Sequence, residues 1–254
     1  MGLREAVETA ARKVEQQLGP AMELSRPEAL RSSGTLAGRI DHTLLRADAT
    51  ATDVERLCEE ADRHRFASVC VNSRWVALAA SLLKNSPVMV CTVVGFPLGA
   101  MAGEAKGAEA GIAVKNGADE VDMVMDIGGL KSGRLDEVLA DMKAVAKSAD
   151  GRPVKVILET SLLTDEEKAI ACLLALRAPV SYVKTSTGFS SGGATVDDIA
   201  LMRSVVGSTL GVKASGGVRT TADAEAMLAA GADRIGASAS IAIATGALAA
   251  KEGY

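Results

Sequence analysis

The sequence has few of the residues that build metal centres and disulfide frameworks. Its 254 residues include only two histidines, His42 and His64, and four cysteines. The cysteines are scattered without CxxC spacing and neither histidine belongs to an HExxH motif, so a transition-metal site of the usual kind lacks its ligands. Three of the cysteines lie in apolar stretches, where a reduced thiol behaves as a small hydrophobic group. We therefore expect free thiols and chemistry that runs without zinc.

An excess of positive charge and long apolar runs are also missing. The formal net charge is -4, which gives no global attraction for nucleic acid or for an anionic membrane surface. No apolar run is long enough to cross a bilayer, and residues 1–20 are charged and helix-patterned rather than signal-like. We therefore expect a cytoplasmic protein without nucleic-acid or membrane partners, in which any anionic ligand meets a local site.

What the chain does have is a regular alternation of short apolar runs and longer segments of helical periodicity. This alternation is typical of repeated βα units around a parallel sheet, and the chain length suits one barrel. We predict an α/β fold, a (β/α)8 TIM barrel formed by residues 37–254, with residues 1–36 as an added N-terminal helical extension. The eight strand candidates are 38–43, 67–72, 88–95, 120–126, 154–159, 181–186, 211–216 and 233–238.

Several helix boundaries can be predicted from capping residues. A threonine followed closely by acidic residues suits a helix N-terminus, and the candidates are Thr50 or Thr52, then Thr164 and Thr220. Gly117 and Gly231 close two helices before the fourth and eighth strands, where a left-handed residue is needed.

The most informative residues are charges inside strands that should be apolar. They are Asp122, Lys155, Lys184 and Lys213, and each would be costly to bury without a partner. Lys184 and Lys213 stand near the carboxyl ends of adjacent strands, where barrel enzymes carry their reactive groups. Two ammonium groups in one cavity disfavour each other, so one of the amines becomes a nucleophile. Asp122 would balance the remaining charge and pass protons, whereas Lys155 sits early in its strand as a supporting partner.

A purely structural interpretation stays open at this point, because polar layers of ion pairs also fill barrels. The same structural interpretation is an alternative for three further candidates. Asp41 is a candidate contact for a substrate hydroxyl. Cys70 and His42 fit buried structural roles better than chemical ones.

Three small-residue loops follow the sixth, seventh and eighth strands, with the sequences STG (186–188), SGG (215–217) and GAS (236–238). Glycine lets backbone N–H groups approach an anion, and barrel enzymes often hold phosphate near strands seven and eight. Each loop alone is ordinary turn sequence, but three in consecutive βα loops predict a phosphorylated ligand.

The strings IDHTLL, VCVN, VVGFPLG, EVDMV, KVILET, VKTSTGF, VKASGGVR and RIGAS occur in this order, each on its own strand. Together they resemble the deoxyribose-phosphate aldolase family over residues 38–245. The resemblance implies reversible cleavage of 2-deoxy-D-ribose 5-phosphate to acetaldehyde and D-glyceraldehyde 3-phosphate, with no metal or cofactor. It also implies a homodimer whose partners are small sugar phosphates and aldehydes.

The resemblance assigns roles to individual residues. Lys184 corresponds to the Schiff-base lysine, Lys213 to the second lysine that activates it, and Asp122 to the acid of the proton relay. The pocket-lining and phosphate-binding positions are Asp41, Leu45, Cys70, Thr187, Gly188, Gly216, Gly217, Gly236 and Ser238. Tyr254 corresponds to a C-terminal tyrosine that transfers protons in some members. Phe189 and Ala239 depart from the pattern, since some members have a lysine and a serine there.

Two other functions remain compatible with these residues. One is a different Schiff-base barrel, such as a transaldolase-like or keto-acid aldolase, which would not accept acetaldehyde alone as donor. The other is a catalytically silent barrel that binds a phosphorylated metabolite. A metal-dependent aldolase would lose activity with a chelator, and nothing in the sequence favours it.

Overall fold

Eight parallel strands close into a barrel in chain order, as the alternating pattern predicts. The computed structural model describes residues 2–22, 24–27 and 34–247. Its strands are β1 Ile40–Leu44, β2 Ser68–Val71, β3 Met89–Val94, β4 Glu120–Val124, β5 Val154–Ile157, β6 Tyr182–Lys184, β7 Gly211–Ser215 and β8 Arg234–Ala237. The predicted (β/α)8 fold is confirmed, although β1 begins later than expected because Ala37–Arg39 form a turn of 3-10 helix.

Ten helices surround or extend the barrel in the described part of the chain. They are α1 Leu3–Leu18, α2 Ala51–His64, α3 Val76–Leu82, α4 Gly103–Lys115, α5 Ile127–Lys131, α6 Leu135–Ser148, α7 Asp165–Ala175, α8 Val196–Val206, α9 Thr221–Ala229 and α10 Ser240–Thr245. None of these helices is long and apolar enough to cross a membrane.

Strand alternation separates an apolar outer layer from a charged interior. In β4, Val121 and Met123 belong to the large hydrophobic cluster between sheet and helices, while Asp122 points into the barrel. In β7, Val212 packs outward in the same way and Lys213 points inward. Successive side chains of a strand face opposite sides. The charges that interrupt the apolar runs therefore meet one another inside the barrel.

The predicted capping threonines begin their helices. Thr50, Thr164 and Thr220 each accept a hydrogen bond from the backbone three residues on, and an acidic side chain there returns the bond in a capping box. The two predicted closing glycines have φ of 105° and 115° at Gly117 and Gly231. These positive values suit glycine, which lacks the Cβ atom that clashes there.

The structure resolves the choice between Thr50 and Thr52 in favour of Thr50. Thr50→Ala is expected to lower the free energy of unfolding by about 1 kcal/mol, because it removes the oxygen that accepts from the Asp53 N–H. Thr52→Ala is the matched control, since Thr52 is exposed in the first turn of α2. Urea unfolding of both variants checks this, and equal losses would contradict the assignment.

The N-terminal extension packs against the outside of the barrel. Helix α1 buries Ala6, Ala10 and Val14, mainly against α7. The segment that follows it runs past the N-terminal end of β6, where Arg177 donates to the Gly19 carbonyl at 3.0 Å and Ser181 to the Pro27 carbonyl at 2.8 Å. The extension therefore touches the face of the barrel opposite to the carboxyl ends of the strands.

Candidate active site

Asp122 lies at the centre of a buried cluster of lysines inside the barrel. Its Oδ2 accepts from Lys184 Nζ at 2.9 Å and from Lys213 Nζ at 2.8 Å. Its Oδ1 accepts from Lys155 Nζ at 2.7 Å and faces the Cys91 thiol at 3.1 Å. The barrel thus brings together the three residues for which the sequence predicts chemistry. Lys155 holds the opposite oxygen, which fits the supporting role expected of it.

A second set of charges extends this cluster around the barrel. Arg234 Nε donates to Asp41 at 2.9 Å, and its Nη2 donates to Glu120 at 2.9 Å. Glu120 also accepts from Lys155 at 2.8 Å, and Asp41 forms an ion pair with Lys213. Asp41 is therefore engaged by two cations, whereas the sequence suggested a substrate hydroxyl as its partner. Glu120 and Arg234 are charges in predicted strands too, and the same criterion applied to every strand residue would have found them.

The charges of this buried network do not balance when all its members are ionised. Its carboxylates are Asp41, Glu120 and Asp122, and its cations are Lys155, Lys184, Lys213 and Arg234. Within the described residues, Lys184 contacts one carboxylate, whereas each of the other three cations contacts two. Unpaired buried charge costs several kcal/mol. The set is matched, three against three, when Lys184 is the uncharged amine.

Two members of the network, Lys213 and Asp122, have pKa values shifted toward their charged forms. Burial acts to lower the pKa of Lys213, but Asp122 and Asp41 outweigh it and raise that pKa above its usual range. Burial likewise acts to raise the pKa of Asp122, but its neighbouring ammonium groups hold the pKa well below the ordinary carboxyl value. Lys213 therefore stays an ammonium group and Asp122 a carboxylate at neutral pH.

One wall of the barrel interior is apolar. Leu45, Cys70, Cys91 and Val93 form a buried cluster against which Phe96 packs. A hydrogen bond with Cys91 lowers the pKa of the Cys70 thiol. The ring of Phe96 meets that of Phe189 edge to face, with centroids 5.2 Å apart. The two pocket-lining residues predicted on this side, Leu45 and Cys70, thus lie together. All four cysteines are free thiols, as expected, and all four are buried.

The loops after β6 and β7 lie against each other on the opposite side. The Ser215 hydroxyl donates to the Ser186 carbonyl at 2.6 Å, and Ala194 N–H donates to the Gly216 carbonyl at 2.9 Å. Gly188, Gly216 and Gly217 have φ of 86°, 84° and 79°. No hydrogen bond within residues 34–247 uses the N–H of Gly188, Gly217 or Ser238. These backbone donors are available to an anionic group.

Two residues predicted for phosphate binding have other neighbours. Both donors of Thr187, its N–H and its hydroxyl, point to the carboxylate of Glu159. Gly236 lies inside β8, where a Cβ atom would come within 2.9 Å of Lys213 Cε and 3.1 Å of Ser215 Cβ. The absence of a side chain at position 236 therefore makes room for Lys213.

The remaining candidates lie apart from the cluster or outside the described residues. His42 Nε2 pairs with Glu60 at 2.9 Å and its ring lies tilted against that of Phe66, with centroids 5.1 Å apart, which fits a structural histidine. Tyr254 lies outside the described residues.

A second buried ion pair stands outside the barrel. Lys106 of α4 is fully buried and donates to Asp141 of α6 at 2.7 Å and to the Val124 carbonyl at 3.0 Å. It resembles the interior pairs in burial but has no contact with the lysine cluster among the described residues. The Lys106–Asp141 pair is therefore a control for the effect of burying an ion pair outside the proposed active site.

Comparison with known proteins agrees with this geometry. A model of the DeoC/LacD family of aldolases matches residues 35–251. The deoxyribose-phosphate aldolase of Halalkalibacterium halodurans is 60% identical over 216 residues, covering 84% of this chain and 96% of the relative. That of Brevibacillus brevis is 58% identical, covering 85% and 97%. The solved tetrameric deoxyribose phosphate aldolase from Aeropyrum pernix is 32% identical, with a TM-score of 0.77 over 96% of this chain and 97% of that one.

Proposed function

The chain belongs to the DeoC/LacD family of aldolases, and we propose that it reversibly cleaves 2-deoxy-D-ribose 5-phosphate to acetaldehyde and D-glyceraldehyde 3-phosphate. In this proposal Lys184 forms a Schiff base with the substrate. The observation that carries it is the single carboxylate shared by Lys184 and Lys213, in a network whose charges balance when Lys184 is neutral. The 60% identity to a deoxyribose-phosphate aldolase supports the choice of substrate.

The proposed reaction uses three central residues, Lys184, Lys213 and Asp122. The Lys184 amine adds to the C1 aldehyde of the open-chain sugar, and loss of water forms an iminium ion. Removal of the C3 hydroxyl proton turns C3 into a carbonyl and breaks the C2–C3 bond, which releases D-glyceraldehyde 3-phosphate. The electron pair of that bond moves toward the iminium nitrogen and leaves an enamine on Lys184. Protonation at C2 and hydrolysis then release acetaldehyde and regenerate Lys184. Asp122 and the charged Lys213 stand within hydrogen-bond reach of Lys184 or of its partner oxygen, so they can exchange these protons.

The two sides of the barrel mouth would bind the two ends of the substrate. The free N–H groups of Gly188, Gly217 and Ser238 would bind the phosphate, remote from the reacting carbon. Binding energy at that distance can hold the sugar in a reactive orientation. The apolar wall that contains Leu45 and Cys70 would face the two-carbon fragment.

The homodimer and the cytoplasmic location expected from the sequence form part of the same proposal. The relative from Aeropyrum pernix is described as a tetramer. Light scattering after size exclusion measures the assembly of this chain in solution, and a tetramer would contradict the proposed homodimer.

Borohydride trapping tests the proposed mechanism. The enzyme is reduced in the presence of acetaldehyde, and peptide mass spectrometry locates the two-carbon adduct. We expect it on Lys184, with Lys184→Met as the control that loses it. An adduct on Lys213 would overturn the assignment of the nucleophile. Trapping of pyruvate but not of acetaldehyde would instead indicate a keto-acid aldolase.

Gly236 and Ser238 should separate chemistry from phosphate binding. Gly236→Ala is expected to lower kcat by about 10²-fold, because its Cβ would displace Lys213 and small misplacements of a reactive group are costly. Ser238→Ala removes only a hydroxyl donor at the mouth, so it should mainly raise KM. Steady-state cleavage of 2-deoxyribose 5-phosphate measures both. If Gly236→Ala changes only KM, the result would instead support a role of Gly236 in phosphate binding.

A further inference from the structure

Glu159 is a buried carboxylate that the lysine network does not use. The residue is 3% exposed and lies just after β5, which ends at Ile157. It forms none of the ion pairs found among the described residues, and its Oε1 has no hydrogen-bond partner there. Its φ of 58° and ψ of 63° place it in the left-handed region, which costs about 1 kcal/mol or more for a residue with a side chain. Both the unpartnered buried oxygen and the left-handed backbone cost free energy, so we expect Glu159 to have a functional role.

The purpose is suggested by what Glu159 holds. Its Oε2 accepts from the Thr187 N–H at 3.2 Å and from the Thr187 hydroxyl. The Thr187 oxygen in turn accepts from the Phe189 N–H at 3.0 Å. Thr187 and Phe189 flank Gly188, whose own N–H has no acceptor within residues 34–247. The carboxylate therefore turns the donors of both neighbours inward and leaves that of Gly188 free.

A carboxylate can only accept hydrogen bonds, so it dictates the direction of the donors around it. Without it, the buried N–H and hydroxyl of Thr187 would lose their acceptor, and buried donors seldom stay unpaired. The backbone of residues 186–189 would then rotate to find other partners. Gly188, whose φ of 86° depends on that backbone, would move with it.

We propose that Glu159 is a positioning residue that sets the loop 186–189 so that the Gly188 N–H meets the substrate phosphate. This inference rests on the proposed function and extends it to selectivity for phosphorylated over unphosphorylated sugars. Glu159 acts through Thr187 and touches neither the reacting carbons nor Lys184. Its loss should therefore weaken recognition of the phosphate more than the chemistry.

The test compares two substrates in matched variants. Glu159→Gly removes the carboxylate while keeping a residue that tolerates positive φ. Its ratio of kcat/KM for 2-deoxyribose 5-phosphate to that for 2-deoxyribose is expected to fall about 10-fold, through KM of the phosphorylated sugar. Glu159→Gln keeps an acceptor oxygen and should recover much of the ratio. Glu55→Gln, on the exposed side of α2, is the control for an unspecific change of charge.

The outcomes separate this inference from the function on which it rests. If the wild type forms no acetaldehyde adduct on Lys184, the proposed function fails. If it does form the adduct, and Glu159→Gly lowers kcat/KM equally for both sugars, only the positioning role is overturned. Should Glu159→Gly not fold, Thr187→Val decides, since it removes the hydroxyl that links Glu159 to Phe189. An unchanged ratio in a folded Thr187→Val variant would overturn the inference.

Discussion

Replacing Lys184 by methionine is expected to lower kcat for 2-deoxyribose 5-phosphate cleavage by at least about 10⁴-fold, because loss of a covalent nucleophile removes the whole reaction path. The same change should leave the free energy of unfolding unchanged or raise it. The buried network is balanced without a charge at position 184, and methionine fills a similar volume to lysine without charge. Steady-state kinetics and urea unfolding measure the two effects.

Lys213→Met is the control for the predicted effect of Lys184→Met on the free energy of unfolding. Lys213 pairs with both Asp41 and Asp122, and its removal leaves buried carboxylates short of a partner. We therefore expect it to lower the free energy of unfolding by about 3 to 5 kcal/mol. A Lys184 variant that is destabilised as much as the Lys213 variant would contradict the charge balance proposed for the network.

Replacing Asp122 by asparagine is expected to lower both activity and stability strongly. Its two oxygens accept from three lysines, and asparagine supplies only one oxygen and no charge. Removing one partner from buried ion pairs costs about 3 to 5 kcal/mol. Loss of a proton-transferring group costs about 10² to 10⁴-fold in rate. We expect both effects in the folded fraction of Asp122→Asn.

Asp141→Asn separates the two effects. Asp141 pairs with the fully buried Lys106 outside the barrel, so its replacement leaves a buried cation unpaired in the same way. We expect a comparable fall in unfolding free energy but kcat close to that of the wild type per folded molecule. If Asp141→Asn loses activity as severely as Asp122→Asn, the loss at Asp122 reflects stability rather than proton transfer.

Much of the architecture could be predicted because it depends on local patterns. Every strand overlaps its predicted run, and three predicted threonines begin helices, since capping involves residues three positions apart. The central residues were also predictable, because a charge in an apolar strand must have a partner. Thr50 and Thr52 could not be distinguished, as both precede acidic residues and only the observed start of α2 separates them.

The partners of these charges could not be predicted in the same way. Arg234 meets Asp41 across 193 positions of sequence, at the seam where β8 closes on β1. Glu159 stands at the end of an apolar strand candidate, and nothing in the residues beside it along the chain indicates a hydrogen bond from Thr187. Gly236 resembles other loop glycines until the position of Lys213 is known.

The sequence by itself therefore determined the barrel, its helix starts and which lysines point into the barrel interior, because side-chain alternation and capping act within a few residues. Only the tertiary structure decided which carboxylate each lysine shares and that Lys184 has the fewest such partners. It also decided that Glu159 orients Thr187. These relations depend on how strands distant in sequence are brought side by side when the barrel closes, and no short-range pattern encodes those distances.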